Sequence, residues 1–261
     1  MTRVRSLVAS AILLSTTVAA QANLRAPLPT VQQQLIHAVV QDEPGDVARL
    51  LDQGGDPNAR IAPAKDDAFI LEHIGDDDPA PPLVLIACRY SGFDTDRIVR
   101  ALVAKGADVN IADKNRVTPL MVASQSGDHL SILLEHGAKV NVTDSEGRTP
   151  LMYAMNNFGV STAATLLEKG AKINTEDASG RTALMIAIQS ARYDPTLLIF
   201  EDRKKKAIDE KARYIELIQF LVQKKADVNR RDKAGNTALK LARASNEREI
   251  ILLLKKAGAR L

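Results

Sequence analysis

The chain has 261 residues, a net charge of +3, 45% hydrophobic and 3% aromatic residues, no tryptophan and one cysteine. That apolar content excludes a disordered chain, and a single cysteine excludes an internal disulfide framework. Basic residues are not interleaved with aromatic ones, which argues against nucleic acid as a partner.

Residues 1–22 are set apart from the rest. Arg3 and Arg5 form a positive start, Leu7 to Ala20 is apolar, and Ala20-Gln21-Ala22 fits a small-x-small cleavage site. The apolar run is short for a membrane span of about 20 residues. A signal peptide cleaved after Ala22 is therefore expected, with a periplasmic or secreted product spanning 23–261 and no integral membrane segment after cleavage.

A first helix pair is predicted at Leu35 to Val40 and Val47 to Gln53, ending at Gly54-Gly55-Asp56-Pro57-Asn58. An acidic insertion follows at 61–82, with Asp66, Asp67, Glu72 and Asp76 to Asp78 before Pro79, Pro81 and Pro82. A second pair is predicted near Leu83 to Tyr90 and Asp96 to Ala104.

Four segments then share one register. They are GADVNIADKNRVTPLMVA from Gly106, GAKVNVTDSEGRTPLMYA from Gly137, GAKINTEDASGRTALMIA from Gly170 and KADVNRRDKAGNTALKLA from Lys225. Asn110, Asn141, Asn174 and Asn229 are each followed by Asp113, Asp144, Asp177 and Asp232, and then by Thr118, Thr149, Thr182 and Thr237. Self-similarity at a period of about 33 residues marks a solenoid.

The local chemistry explains one unit. Gly137 closes a helix in a left-handed conformation. Asp144-Ser145-Glu146-Gly147 is a turn. Thr149 caps the next helix, and Pro150 suits its first position because a proline there forfeits no hydrogen bond. Leu151 and Ala154 start an apolar face.

This pattern resembles the ankyrin repeat, in an exported bacterial-type protein. The resemblance implies an all-α solenoid of about six helix-turn-helix units with short β-hairpin-like turns. The units fall roughly at 31–60, 79–110, 111–141, 142–174, 175–229 and 230–261, with an insertion near 192–213 in the fifth. The third looks about two residues short, so its second helix should be clipped.

Three positions depart from the family pattern. Met121, Met152, Met185 and Lys240 stand where the family has a histidine. Arg116 replaces a turn glycine, so it either adopts a left-handed conformation at about 1–2 kcal/mol or that turn differs. Lys225 replaces a helix-ending glycine.

Charge is uneven along the chain. Acids exceed bases by about six over 23–110, and bases exceed acids by about eight over 199–261. Such a dipole could steer a charged partner, while lysines that simply solubilise helix faces are the commoner explanation.

Nothing in the chain spells a catalytic motif. There is no phosphate-binding G-x-x-x-x-G-K-[ST], no G-x-S-x-G and no H-E-x-x-H. His37, His73, His129 and His136 have no metal-ligand spacing, and His129 and His136 read as surface residues beside a short helix. The row Asp113, Asp144, Asp177, Asp232 reads as turn chemistry, and Cys88 as a small buried apolar residue. Asn141-Val142-Thr143 matches a glycosylation acceptor, but Asn141 is also the repeat's own asparagine. No catalytic residue, cofactor or metal is expected.

The leading expectation is a monomeric, non-catalytic scaffold that binds another protein. In the family, contacts come from hairpin tips and the exposed face of the first helices. Here those positions are Lys114, Asn115, Gln125, Ser126, Ser145, Glu146, Arg148, Asn156, Asn157, Ser179, Arg181, Gln189, Lys233 and Asn236. Reversing the charge of Arg148 and Arg181 is expected to weaken capture without loss of stability. Two alternatives are an envelope-associated structural or stress-protection factor, of peroxide-defence or toxin-immunity type, and an enzyme with a site under an insertion. In the first, the basic end near Lys204 would lie on anionic lipid or glycan.

Overall fold

The computed structural model describes residues 30–60, 82–89, 94–156, 159–191 and 201–260, with backbone alone at 201–208. The expected signal peptide, residues 61–81 of the acidic insertion and 192–200 of the second insertion lie outside the described residues.

Twelve α-helices are described, and they follow one another as six pairs. They are α1 (Val31–Val40) and α2 (Pro44–Asp52), α3 (Leu83–Arg89) and α4 (Thr95–Ala104), and α5 (Pro119–Ser126) and α6 (Leu130–Glu135). Next come α7 (Pro150–Tyr153) with α8 (Val160–Glu168), α9 (Ala183–Ser190) with α10 (Glu201–Gln223), and α11 (Ala238–Ala244) with α12 (Arg248–Lys256). A 3-10 turn at Ala154–Asn156 extends α7. Helix α6 has six residues where α2, α8 and α12 have nine, as its shortened repeat requires.

Four of the first helices, α5, α7, α9 and α11, begin in the same way. Thr118, Thr149, Thr182 and Thr237 are extended N-caps whose side chains accept from the backbone N–H of Met121, Met152, Met185 and Lys240. These threonines are buried, so the bond satisfies groups that water cannot reach. Thioether chemistry replaces part of what a histidine would supply: Met121 Sδ accepts from the Thr118 N–H at 3.5 Å.

Second helices end in left-handed residues. Gly106 has φ 89° and Lys225 has φ 66°. Both sites carry the same closure, with Ala107 N–H donating to Leu102 and Ala226 N–H to Leu221. Lysine thus takes the glycine geometry and bears its strain. Arg116 does likewise in its turn, at φ 62°, which decides between the two outcomes expected for it.

The units are stitched by their asparagines. Asn141 Nδ2 donates to Gly170 O at 2.9 Å, and its Oδ1 accepts from Lys172 N–H at 2.9 Å. Asn58 does the same with Gly106 and Asp108, Asn110 with Gly137 and Lys139, and Asn229 with Gly258 and Arg260. One amide thereby pairs both a donor and an acceptor of the next unit's chain. Asn141 is committed to this bond, which makes its glycosylation match incidental.

Adjacent turns also join through backbone. Ser145 N–H donates to Asn115 O, Ala178 N–H to Glu146 O, and Lys233 N–H to Ser179 O. The contact is tight: a Cβ at Gly147 would lie 2.9 Å from Ala178 N, and one at Gly180 2.9 Å from Lys233 N. Among the described residues no such neighbour stands at Gly235. The acidic insertion leaves from this same line of turns. Arg60 and Pro82 form an antiparallel bridge, and Leu83 N–H donates to Ala59 O.

One buried apolar core runs the length of the array, from Leu35 through Leu83, Leu120, Leu151 and Leu184 to Leu254. Leu, Ile, Val and Ala fill it, which is how a stack of thin layers is built with so few aromatic residues.

Candidate binding surface

The turn carboxylates organise the exposed edge. Asp144 Oδ1 accepts from the N–H groups of Glu146 and Arg148 at 2.9 and 2.8 Å, and Oδ2 accepts from Arg148 Nε at 2.8 Å. Asp177 repeats this with Ser179 and Arg181. Asp232 repeats it with Ala234 and Asn236, the Asn236 amide taking the arginine's place. Asp144 and Asp177 are buried. Burial pushes the Asp144 carboxyl up, but the Arg148 and Tyr153 hydrogen bonds outweigh it and hold it below the usual carboxylate range.

The third unit solves the same problem differently. Val117 stands where Arg148, Arg181 and Asn236 stand, and it cannot donate to Asp113 Oδ2. Arg89, at the end of α3 in the preceding unit, reaches across instead, with Nη2 at 3.1 Å.

The positions expected to bind separate into three groups. Lys114, Asn115, Ser145, Glu146, Ser179 and Lys233 are exposed at the turn tips. Gln125, Ser126 and Asn156 are exposed and Gln189 is half-buried, at or just beyond the ends of α5, α7 and α9. Arg148, Arg181 and Asn236 are half-buried and held by the turn aspartates. Reversing Arg148 or Arg181 would set a carboxylate against a buried carboxylate, so the expectation of unchanged stability does not survive. Asn157 lies outside the described residues.

The structure gathers Gln125, Ser126 and Asn156 into one open groove of about 670 Å³ across α3, α5 and α7. Sequence reasoning missed five other side chains that line it: Cys88, Arg89, Val117, Val122 and Tyr153. Register could have found two of them, because Cys88 and Arg89 occupy in α3 the places of Gln125 and Ser126 in α5. The insertion before α3 hides that alignment. Tyr153 donates to Asp144 Oδ2 at 2.8 Å, and the Arg148 guanidinium lies 5.1 Å from its ring centroid. Burial, and then the bond to Asp144, push its phenol up. Tyr153 on the groove wall is therefore held in place by Asp144 and Arg148 behind it.

Cys88 is buried, and burial, with a smaller push from Asp96, raises its thiol to about 12. It stays protonated at neutral pH and is no thiolate nucleophile. The reading of His129 as a surface residue is corrected. It is buried, left-handed at φ 57°, and its Nδ1 lies 2.5 Å from Asp96 Oδ1 on the neighbouring unit. His136 is exposed, as expected. Among the described residues, no group of three or more His, Cys, Asp or Glu is placed to hold a metal ion. No described helix is long and apolar enough to cross a membrane.

Comparison with protein families matches residues 83–177 to a model of ankyrin repeats in three copies and residues 206–254 to a model of ankyrin repeats in many copies. Together these take in more than half of the chain. Comparison with curated protein sequences finds no match. Among solved structures, the chain is similar to an ankyrin repeat domain from Acinetobacter baumannii AYE, with 27% identity and a TM-score of 0.66. That similarity covers 87% of this chain and 98% of the other. Ankyrin repeats are generally scaffolds for protein–protein interaction. Repeat register, stacked helix pairs and family match agree, and the chain belongs to the ankyrin-repeat family.

Proposed function

We propose that the chain is a non-catalytic scaffold that captures a partner protein in the groove across α3, α5 and α7. The observation that carries this reading is the groove's lining. Arg89, Gln125, Ser126, Tyr153 and Asn156 present donors and acceptors on one solvent-open surface. The Asp113 and Asp144 bonds already hold Arg89 and Tyr153 in place. Side chains fixed before binding lose little entropy on binding, so more of the contact energy appears as affinity.

Export to the periplasm is part of the proposal. It rests on the charged start, the apolar run and the small-x-small site in residues 1–22. The groove's one thiol, Cys88, is buried and protonated, which supports the non-catalytic reading over a thiol-based one.

The test is crosslinking and affinity capture from the exporting compartment, with wild type against Gln125→Lys/Asn156→Lys. Both positions are exposed, so the fold should persist, which thermal melting checks. Partners retained by wild type and lost by the variant support the groove. Identical retention by both would move recognition elsewhere on the array.

A further inference from the structure

We propose that a second face, the groove between α10 and α12, pairs with the same face of another copy of this chain. This goes beyond the partner-capture reading and does not depend on it. Leu252 is 66% exposed and is the only large hydrophobic side chain left exposed among the described residues. It borders a groove of about 740 Å³ whose apolar wall is Ile215, Val222 and Leu253, and whose charged lining is Glu249 and Lys256. The groove is braced, because Lys211 Nζ on α10 lies 2.7 Å from Glu247 Oε2 at the start of α12.

The choice of occupant follows from the spacing of the charges. Glu249 lies three residues before Leu252 and Lys256 four residues after it, so both share its face of the helix. They are two turns apart, about 10 Å along the axis, and neither makes an ion pair within the described chain. A two-fold axis beside Leu252 and Leu253 lays a second α12 antiparallel to the first. Glu249 of each copy then faces Lys256 of the other, and the leucines close between them. An isologous contact needs such self-complementarity. Arg248 and Lys255 fall by helical periodicity on the flank away from the groove, so the contact leans towards α10. An acidic partner or an anionic membrane would meet Glu249 at the centre of the surface, and a basic partner would meet Lys256.

The experiment is sedimentation velocity on the purified chain from about 1 to 500 μM, a span of more than two decades in Kd. Wild type should sediment increasingly as a dimer. Leu252→Glu should remain monomeric with an unchanged far-UV spectrum, because the side chain it replaces is exposed. Glu249→Lys and Lys256→Glu should each weaken dimerisation at least tenfold. The double variant Glu249→Lys/Lys256→Glu should recover it, since the pairs reform with signs exchanged. A wild type that is monomeric throughout overturns the proposal. So does a dimer insensitive to Leu252→Glu, or a double variant as weak as the singles. A monomer that binds anionic vesicles through Leu252 would overturn it too and assign the face to a lipid surface.

Discussion

Arg89 Nη2 lies 3.1 Å from Asp113 Oδ2, and the two residues belong to different repeats. Every other turn aspartate in the array meets a donor from its own turn, four residues on. Here the donor comes from the helix before. The third unit is therefore tied to the second through its turn aspartate, beside the open groove that Arg89 lines.

That exchange predicts a rescue. Arg89→Ala should lower stability by about 1 kcal/mol, a modest figure because the arginine is about a third exposed while the aspartate is buried. Val117→Arg in the same background should restore most of it, by rebuilding the Asp144–Arg148 arrangement in the third turn. Urea denaturation of the two single variants and the double variant measures the coupling. Additive effects would mean that Arg89 serves the groove alone.

The repeat register was legible because each of its marks has a local physical cause. Thr149 caps a helix, Gly147 turns the chain, and Asp144 binds its own backbone, so each can be read from a few neighbouring residues. What could not be read depends on residues far apart in the chain. Arg89 was hidden because its partner is 24 positions away, and because the insertion before α3 breaks the alignment of its own helix. His129 looked like a surface residue because its polar neighbours in sequence are exposed, while Asp96, which holds it, lies 33 positions earlier. Arg148 looked free to bind a partner because the sequence shows an exposed turn, not the carboxylate beneath it. Leu252 lies on the outer face of α12, away from the buried Ile250 and Leu254 and at the register position of the exposed Arg100 and Gln219, so only its residue type sets it apart.

Stacking of adjacent turns gives a second prediction. Gly147 and Gly235 both have positive φ, 75° and 73°. Alanine at either should cost about 1 kcal/mol in backbone strain. Only at Gly147 does the new Cβ also meet the backbone of the next turn, at 2.9 Å. Gly147→Ala should therefore be the more destabilising, by at least a further 1 kcal/mol. Thermal melting of the pair checks this, and equal losses would mean that the turns yield to each other.

The asparagine stitching gives a third. Asn141→Ala removes two hydrogen bonds to the next unit. It should cost about 1–2 kcal/mol and loosen the third unit from the fourth. Asn115→Ala is the control, because only its backbone is bonded to its neighbours, and it should stay within about 0.5 kcal/mol of wild type. Hydrogen exchange at Lys172 reports the local effect directly. Its N–H donates to Asn141 Oδ1 at 2.9 Å and should lose protection in the first variant only.

Acid should unfold the array from its turns. The Asp144 carboxyl is held low in the folded chain, because the Arg148 and Tyr153 bonds prevail over burial. Unfolded, it titrates near the ordinary value of about 3.9. A depressed folded pKa means that the unfolded chain binds the proton more tightly. The stabilisation is thus fully present above pH of about 4 and is lost as pH falls through the folded value. Asp144→Asn cannot titrate there. It should be less stable than wild type at pH 7, and the gap should narrow as the pH is lowered below about 4, while a matched Asp56→Asn control at an exposed site should track wild type. Urea midpoints at pH 7, 5, 4 and 3 measure this. A gap that stays constant across that range would mean that Asp144 acts through the shape of the turn and not through its charge.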